Sequence, residues 1–197
     1  MQENRWHSAG PSADTPSPWI ARFAGLVPAG GPVLDLACGR GRHARLFTGR
    51  GHPVTAVDRD REALAALGGV AGIEALAADL EDGSPFPLAG RTFAGIVVAN
   101  YLWRPLVPAL LAALAPGGAL LWETFAAGNE AFGRPRNPDF LLRPGELLEM
   151  ARGTLEVVAF EDGRIDHPRP AMVQRIAAVR PPFDRATARL HAASFSP

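Results

Sequence analysis

Five short β-rich runs alternate with helical segments between residues 32 and 125, and this alternation constrains the fold more than any other feature of the chain. The runs are "PVLDLA", "PVTAVD", "IEALAAD", "FAGIVVAN" and "ALLWETF". The helical segments are "GRHARLFTGRG", "DREALAALGG" and "RPLVPALLAALAPGG", each closed by glycine. Asp60 is placed to cap the second helix, and Pro116-Gly117-Gly118 stops the third. Strand and helix in turn predict a parallel sheet with right-handed crossovers. The fourth run is almost wholly apolar, as befits a strand covered on both faces.

After Phe125 the pattern changes. "AAGNEAFGRPRNPDFLLRP" is too long and polar for a simple connection, and inserts of this kind usually carry function. A helix, "GELLEMA", follows it. "TLEVVAFEDGRI" and "AMVQRIAAVR" then come with no helix between them, which predicts an antiparallel hairpin. Upstream, a polar, Pro-rich arm leads into a helix in "SPWIARFAGLV", with Ser17 as its cap and Trp19, Phe23 and Leu26 as its apolar stripe. These features divide the chain into an N-terminal arm and helix (1–32), a main domain (33–180) and a loose tail (181–197).

The composition removes several kinds of chemistry. All 20 basic residues are arginine, so a lysine Schiff base and a P-loop lysine are both excluded. The formal net charge is +0, without the clustered basic excess that nucleic-acid binding requires. Cys38 is the single cysteine, which rules out an internal disulfide or a cysteine-clustered zinc site, and the five histidines have no ligand spacing. "PLVPALLAALA" falls well short of the roughly 20 apolar residues of a membrane span. The polar N-terminus has no signal core. The expectation is a cytoplasmic protein with no metal, membrane or nucleic-acid partner.

In a doubly wound sheet, ligands bind at the carboxyl ends of the strands where the order reverses. The turn "DLACGRGRHA" is the natural place, with Gly39 and Gly41 allowing close backbone approach. From Gly39 the string reads G-x-G-x-x-A, which also fits a dinucleotide fingerprint. Asp35 precedes the glycines, where a pyrophosphate would meet an unwelcome negative charge and a cationic ligand a useful one. Asp58 ends the second strand, placed to accept two ribose hydroxyls, and Asp79 ends the third, within reach of a base edge, with Leu80 to pack on its face. The plainer readings are helix caps for Asp35 and Asp58 and an ordinary polar loop for Asp79.

"VLDLACGRG", "VTAVD", "AADL", "FAGIVVANYL" and "LAPGGALLWETF" together resemble the class I S-adenosylmethionine-dependent methyltransferase family, over about Val33 to Arg180. The resemblance implies an α/β fold: a doubly wound, seven-stranded, mostly parallel sheet whose C-terminal hairpin places an antiparallel seventh strand between strands five and six. Residues 119–145 look most like small bacterial methyltransferases grouped with tellurite-resistance enzymes. The implied cofactor contacts are Asp35, Ala37, Cys38, Gly39, Gly41, Asp58, Arg59, Asp79, Leu80 and Asn100. The chain departs from the family pattern at Ala37, where the first glycine stands, and at Ala94, where an acidic residue is common.

The implied activity is methyl transfer to a small-molecule acceptor by in-line displacement. Tyr101, Trp103, Arg134 and Arg136 are acceptor candidates, each with a plain packing or solvated alternative. Tyr101 and His167 are the candidate catalytic residues, and no side chain stands out as a general base. Cys38 reads as a buried structural thiol and His43 as a first-turn helix residue, while Arg5 and Trp6 are placed to fold back as a lid. An NAD(P)-dependent oxidoreductase and a non-catalytic S-adenosylmethionine-binding module are the alternatives.

Overall fold

The computed structural model describes residues 14–188. In chain order the main elements are α1 (Pro18–Phe23), β1 (Val33–Leu36), α2 (Arg42–Thr48), β2 (Val54–Asp58), α3 (Arg61–Ala65), β3 (Ile73–Ala77), β4 (Phe93–Ala99), α4 (Val107–Ala113), β5 (Leu114–Phe125), α5 (Glu146–Ala151), β6 (Glu156–Ile165) and β7 (Ala171–Val179). The strands form one sheet in the order β3-β2-β1-β4-β5-β7-β6, with β7 antiparallel to both its neighbours. The order reverses between β1 and β4, which pair in parallel. Among the described residues no helix is long and apolar enough to cross a membrane.

Alternation along the strands sends side chains into two cores. Leu34, Leu36, Ile96, Val98, Leu120 and Trp122 pack under α4 and α5. Val33, Val97 and Leu121 pack on the opposite face with Trp19, Ile20 and Phe23 of α1 and Phe47 of α2. Ser17 caps α1, its Oγ accepting from the N–H groups of Trp19 and Ile20. Asp60 caps α3 in the same way, accepting from Glu62 and Ala63. Ala94 is buried, its methyl packed so close to Gly31 that a β-carbon added there would collide with it.

The fifth strand begins earlier than the sequence pattern suggests. α4 stops at Ala113, and Leu114 already pairs with Phe93 before the register shifts to Gly95–Ala119. The intervening residues turn at Gly117 (φ +74°), whose N–H donates to the Arg180 carbonyl at 2.8 Å. Pro116 and its glycines therefore make a bulge inside the strand's span rather than a helix terminus.

A polar network holds the insert after β5. Arg104, just past β4, donates to both carboxylate oxygens of Glu146 at 2.7 and 2.9 Å, and to the carbonyls of Asp139 and Leu141 at 2.6 and 2.8 Å. Glu146 is buried, and its second oxygen also accepts from the Arg143 N–H at 2.8 Å. Gln174 of β7, fully buried, accepts from Leu147 N–H at 3.2 Å and donates to the Arg143 carbonyl at 2.6 Å. Asn129 bridges the insert to the hairpin, donating to the Pro135 carbonyl and accepting from Met172 N–H. Within this network Glu146, Gln174 and Asn129 thus each have partners, which a low-dielectric interior requires.

Candidate functional site

The ends of β1 and β4 flank the point of reversal, and the backbone there is unusual. Among the described residues, Ala37 and Asn100 are the two outside glycine with positive φ, +52° and +56°. One follows β1 and the other β4. Left-handed backbone costs a residue with a β-carbon about 1–2 kcal/mol, less for asparagine, and such strain gathers at functional sites. The resemblance places glycine at position 37; the chain accepts that conformation with alanine.

The turn after β1 treats its two glycines differently. A β-carbon at Gly39 (φ +55°) would meet no atom within 4 Å, so this backbone faces open space. At Gly41 (φ +77°) it would collide with the Leu67 methyls. Gly41 therefore serves the packing of α2 on the segment after α3, while the Gly39 backbone is open on the side a β-carbon would occupy.

Asp35 is buried at 1% exposure on the α2 side of β1 and accepts from the Ala44 N–H at 2.8 Å, satisfying a first-turn donor of α2 from the neighbouring strand. The plainer capping role is thus present. Burial pushes its carboxyl up to about 7, against the bond from Ala44 and the nearby Arg42. A cation arriving beside it would restore the charged form.

Asp58 at the end of β2 accepts from the Gly39 N–H at 2.7 Å with one oxygen and from the Asp60 N–H at 2.9 Å with the other. It ties the β1 turn to the β2 turn and leaves the capping of α3 to Asp60. Cys38 is buried, with its N–H donating to the Val57 carbonyl at 3.0 Å. Burial, Asp35 and Asp58 together push its thiol far above the range in which it would ionise. It is an inert core side chain.

Tyr101 sits with the loop after β3 rather than with the insert. Its Oη is buried, and no group meets it in hydrogen-bond geometry. Burial first, then Glu81 and Asp79, push its phenol well above its usual value, with Arg59 opposing. Asp79, exposed, accepts from Glu81 N–H at 3.0 Å, and Leu80 packs half-buried against the core. The structure thus brings Arg59, Asp79, Glu81 and Tyr101 together over the ends of β2, β3 and β4. Trp103 is half-buried against the same core.

The other candidates lie elsewhere. Arg134 and Arg136 are exposed on the insert, whose Phe132 ring lies 5.2 Å from the Arg164 guanidinium of β6. His167 is exposed on the β6–β7 hairpin loop, at the carboxyl end of the sheet but three to four strand spacings from β1, roughly 14–19 Å. Arg5 and Trp6 fall outside the described residues.

His43 does more than the sequence suggested. Buried in the first turn of α2, its Nε2 accepts from the Ser17 N–H at 3.1 Å. Burial and Arg42 lower it to about 3, so it is neutral. With Arg42 donating to the Thr15 carbonyl at 3.4 Å, it docks residues 15–17 beside the glycine turn.

Comparison with known proteins gives these positions a context. Residues 33–118 match the family described as "Methyltransferase domain". No curated protein matches the sequence significantly. Among solved structures, TehB from Haemophilus influenzae superposes with a TM-score of 0.68 at 17% identity, covering 81% of this chain and 61% of TehB. An S-adenosylmethionine-dependent methyltransferase from Mesorhizobium loti gives 0.63 at 21% identity, covering 80% of this chain and 95% of its own. The glycopeptide N-methyltransferase MtfA, solved with S-adenosyl-L-homocysteine, gives 0.57 at 22%, covering 89% of this chain and 95% of MtfA. Residues 33–118 are thus similar to that methyltransferase-domain family, and the chain shares its fold with TehB and the other methyltransferases named here.

Proposed function

We propose that the chain transfers a methyl group from S-adenosylmethionine to a small-molecule acceptor by in-line displacement, at the carboxyl ends of β1 and β4. The observation that carries this reading is the pairing of left-handed Ala37 and Asn100 across the point of strand reversal, beside a Gly39 backbone open on its ligand side.

The residues present fit that cofactor. Asp58 keeps lone pairs free beyond its two backbone bonds and takes the ribose hydroxyls. Asp79 and Leu80 take the base, and Asp35 balances the positive charge of the amino-acid end through its proximity to the turn. Asn100 lines the point of transfer. S-adenosylmethionine supplies a methyl group on a sulfonium whose charge is lost on transfer, so alignment in an apolar setting does most of the work. Tyr101 does not act as a base at neutral pH, because its surroundings keep the phenol protonated. It forms a wall on the base side, with its buried hydroxyl set beside Glu81.

Calorimetric titration with S-adenosylmethionine and, separately, with NADH tests the reading. Micromolar binding of the first alone is expected. Binding of NADH alone would move the chain to the oxidoreductase alternative. Binding of S-adenosylmethionine without turnover of any small-molecule acceptor would favour a binding module.

A further inference from the structure

Resting on the methyl-transfer reading, we propose that Glu123, at the carboxyl end of β5, is the acceptor-binding carboxylate and that the acceptor is a small molecule presenting an amine. The proposed cofactor contacts, Asn100 at the point of transfer aside, occupy the β1, β2 and β3 side of the reversal point. The ends of β4, β5 and β7 are then what is left for a second reactant. Register fixes which side chains look into that space. Asp35 is opposite Val97 and Val97 opposite Leu121, so these three share a face, and Ala99 and Glu123 share it one pleat further toward the carboxyl end. Glu123 thus stands on Asp35's face, two strand spacings away, about 10 Å. Its own carbonyl accepts from the N–H of the left-handed Asn100 at 2.9 Å.

The chemistry around Glu123 is unfinished in a way that a purely structural pair is not. Glu123, Arg175 and Glu161 lie opposite one another on β5, β7 and β6. A charge ladder of this kind supports a sheet, and that is the plain alternative. Yet the Arg175 guanidinium stays 3.7 Å from Glu123 and 3.6 Å from Glu161, and its Nε is buried without a hydrogen bond. It rests over the Trp19 ring instead, 5.9 Å from the centroid. Arg104 and Glu146 close to 2.7 Å in the same protein. The Glu123 and Arg175 side chains are each only 16% exposed, and among the described residues the Glu123 carboxylate meets Arg175 at ion-pair rather than hydrogen-bond distance. A half-buried carboxylate with free acceptor capacity selects a ligand that brings N–H groups, and repels thiolates and oxyanions.

An amine reaching this carboxylate as its ammonium form gives up one proton to Glu123, which passes it to water. The freed nitrogen lone pair forms the N–C bond while the S–C bond breaks and its electron pair stays on sulfur. Glu123 contributes the acceptor's hydrogen bond and the proton's destination.

The experiment compares wild type with Glu123→Gln, which keeps the side chain's size. Three quantities are read: S-adenosylhomocysteine affinity by calorimetry, thermal midpoints of the S-adenosylhomocysteine-saturated protein with added acceptor, and homocysteine-nucleoside release in turnover. The acceptor probes are an alkylamine, an arylethylamine and an amino-acid ester, set against a thiol, a carboxylate and tellurite. The expected result is binding and turnover of at least one amine, with kcat/KM at least 100-fold lower in the variant and the amine-dependent rise in midpoint abolished. S-adenosylhomocysteine affinity should stay within threefold. Turnover confined to the thiol, carboxylate or tellurite, absence of turnover of every amine, or amine turnover in the variant within threefold of wild type would each overturn the proposal. Failure of wild type to bind S-adenosylhomocysteine would instead strike the methyl-transfer reading beneath it.

Discussion

The turn after β1 and the insert after β5 sit at the same edge of the sheet but are held in opposite ways. The turn is held by backbone: left-handed residues, and N–H groups of Gly39, Asp60 and Ala44 donating to strand-end carboxylates. The insert is held by side chains from afar, Arg104 reaching Glu146 across 42 residues and Gln174 reaching Arg143 across 31. A turn that must keep one backbone shape is written in its own residues and a carboxylate one strand away. A segment added to that frame needs anchors spread through the chain.

Breaking the insert's anchor should have the largest effect. Arg104→Met leaves the buried Glu146 carboxylate without its bidentate partner, which should cost about 3 kcal/mol or more in urea unfolding. S-adenosylhomocysteine affinity should change little, because the turn is held independently. A variant as stable as wild type would show that the network does not hold the fold.

The two glycines sharpen the comparison within the turn itself. Gly41→Ala combines left-handed strain with a collision against Leu67 and should cost about 2–4 kcal/mol. Gly39→Ala meets only the strain and should cost about 1–2 kcal/mol, with the greater loss in cofactor affinity. Reversed ranks in unfolding and calorimetry would contradict the division of roles between them.

Proton linkage offers a subtler probe. Asp35 rises from 3.8 to about 7 on folding, so its linked stability is complete below 3.8 and is lost as pH climbs to about 7. His43 falls from 6.5 to about 3, so its linked stability is complete above 6.5 and is lost as pH drops toward 3. Between about pH 4 and 6.5 the two slopes oppose and nearly cancel. His43→Gln removes one of them. Across that window the stability difference, wild type minus variant, should grow with rising pH by up to about 1.4 kcal/mol per unit. A pH-independent difference would mean that His43 is not buried neutral.

The smallest expected effect is a gain. Ala37→Gly relieves left-handed strain but loosens the unfolded chain, for a net stabilisation of about 0.5 kcal/mol. Destabilisation would place Ala37 in a different conformation.

The same contrast explains what could be read from the chain. The strand–helix alternation, Ser17 and Asp60 as caps and the terminal hairpin were visible because their determinants lie within a few residues of one another. The start of β5 was not, since Leu114 joins the sheet through Phe93, on a strand one crossover away. The packing reason for Gly41 is not legible locally, because Leu67 belongs to the segment after α3. Arg134 and Arg136 drew attention as cations in a polar insert, whereas the arginine that organises the insert, Arg104, stands before it in an apolar run. Glu123 was hidden inside "ALLWETF", where only the register sets it on the face of Asp35.

The most direct test of the central claim, a cofactor site built on the turns after β1 and β2, is the affinity of Asp58→Ala for S-adenosylmethionine. Loss of the carboxylate removes the proposed ribose contact and the 2.7 Å bond that shapes Gly39. The account predicts micromolar binding to wild type, weakened at least about tenfold, or 1.4 kcal/mol, in the variant. Equal affinity in a folded variant would contradict it.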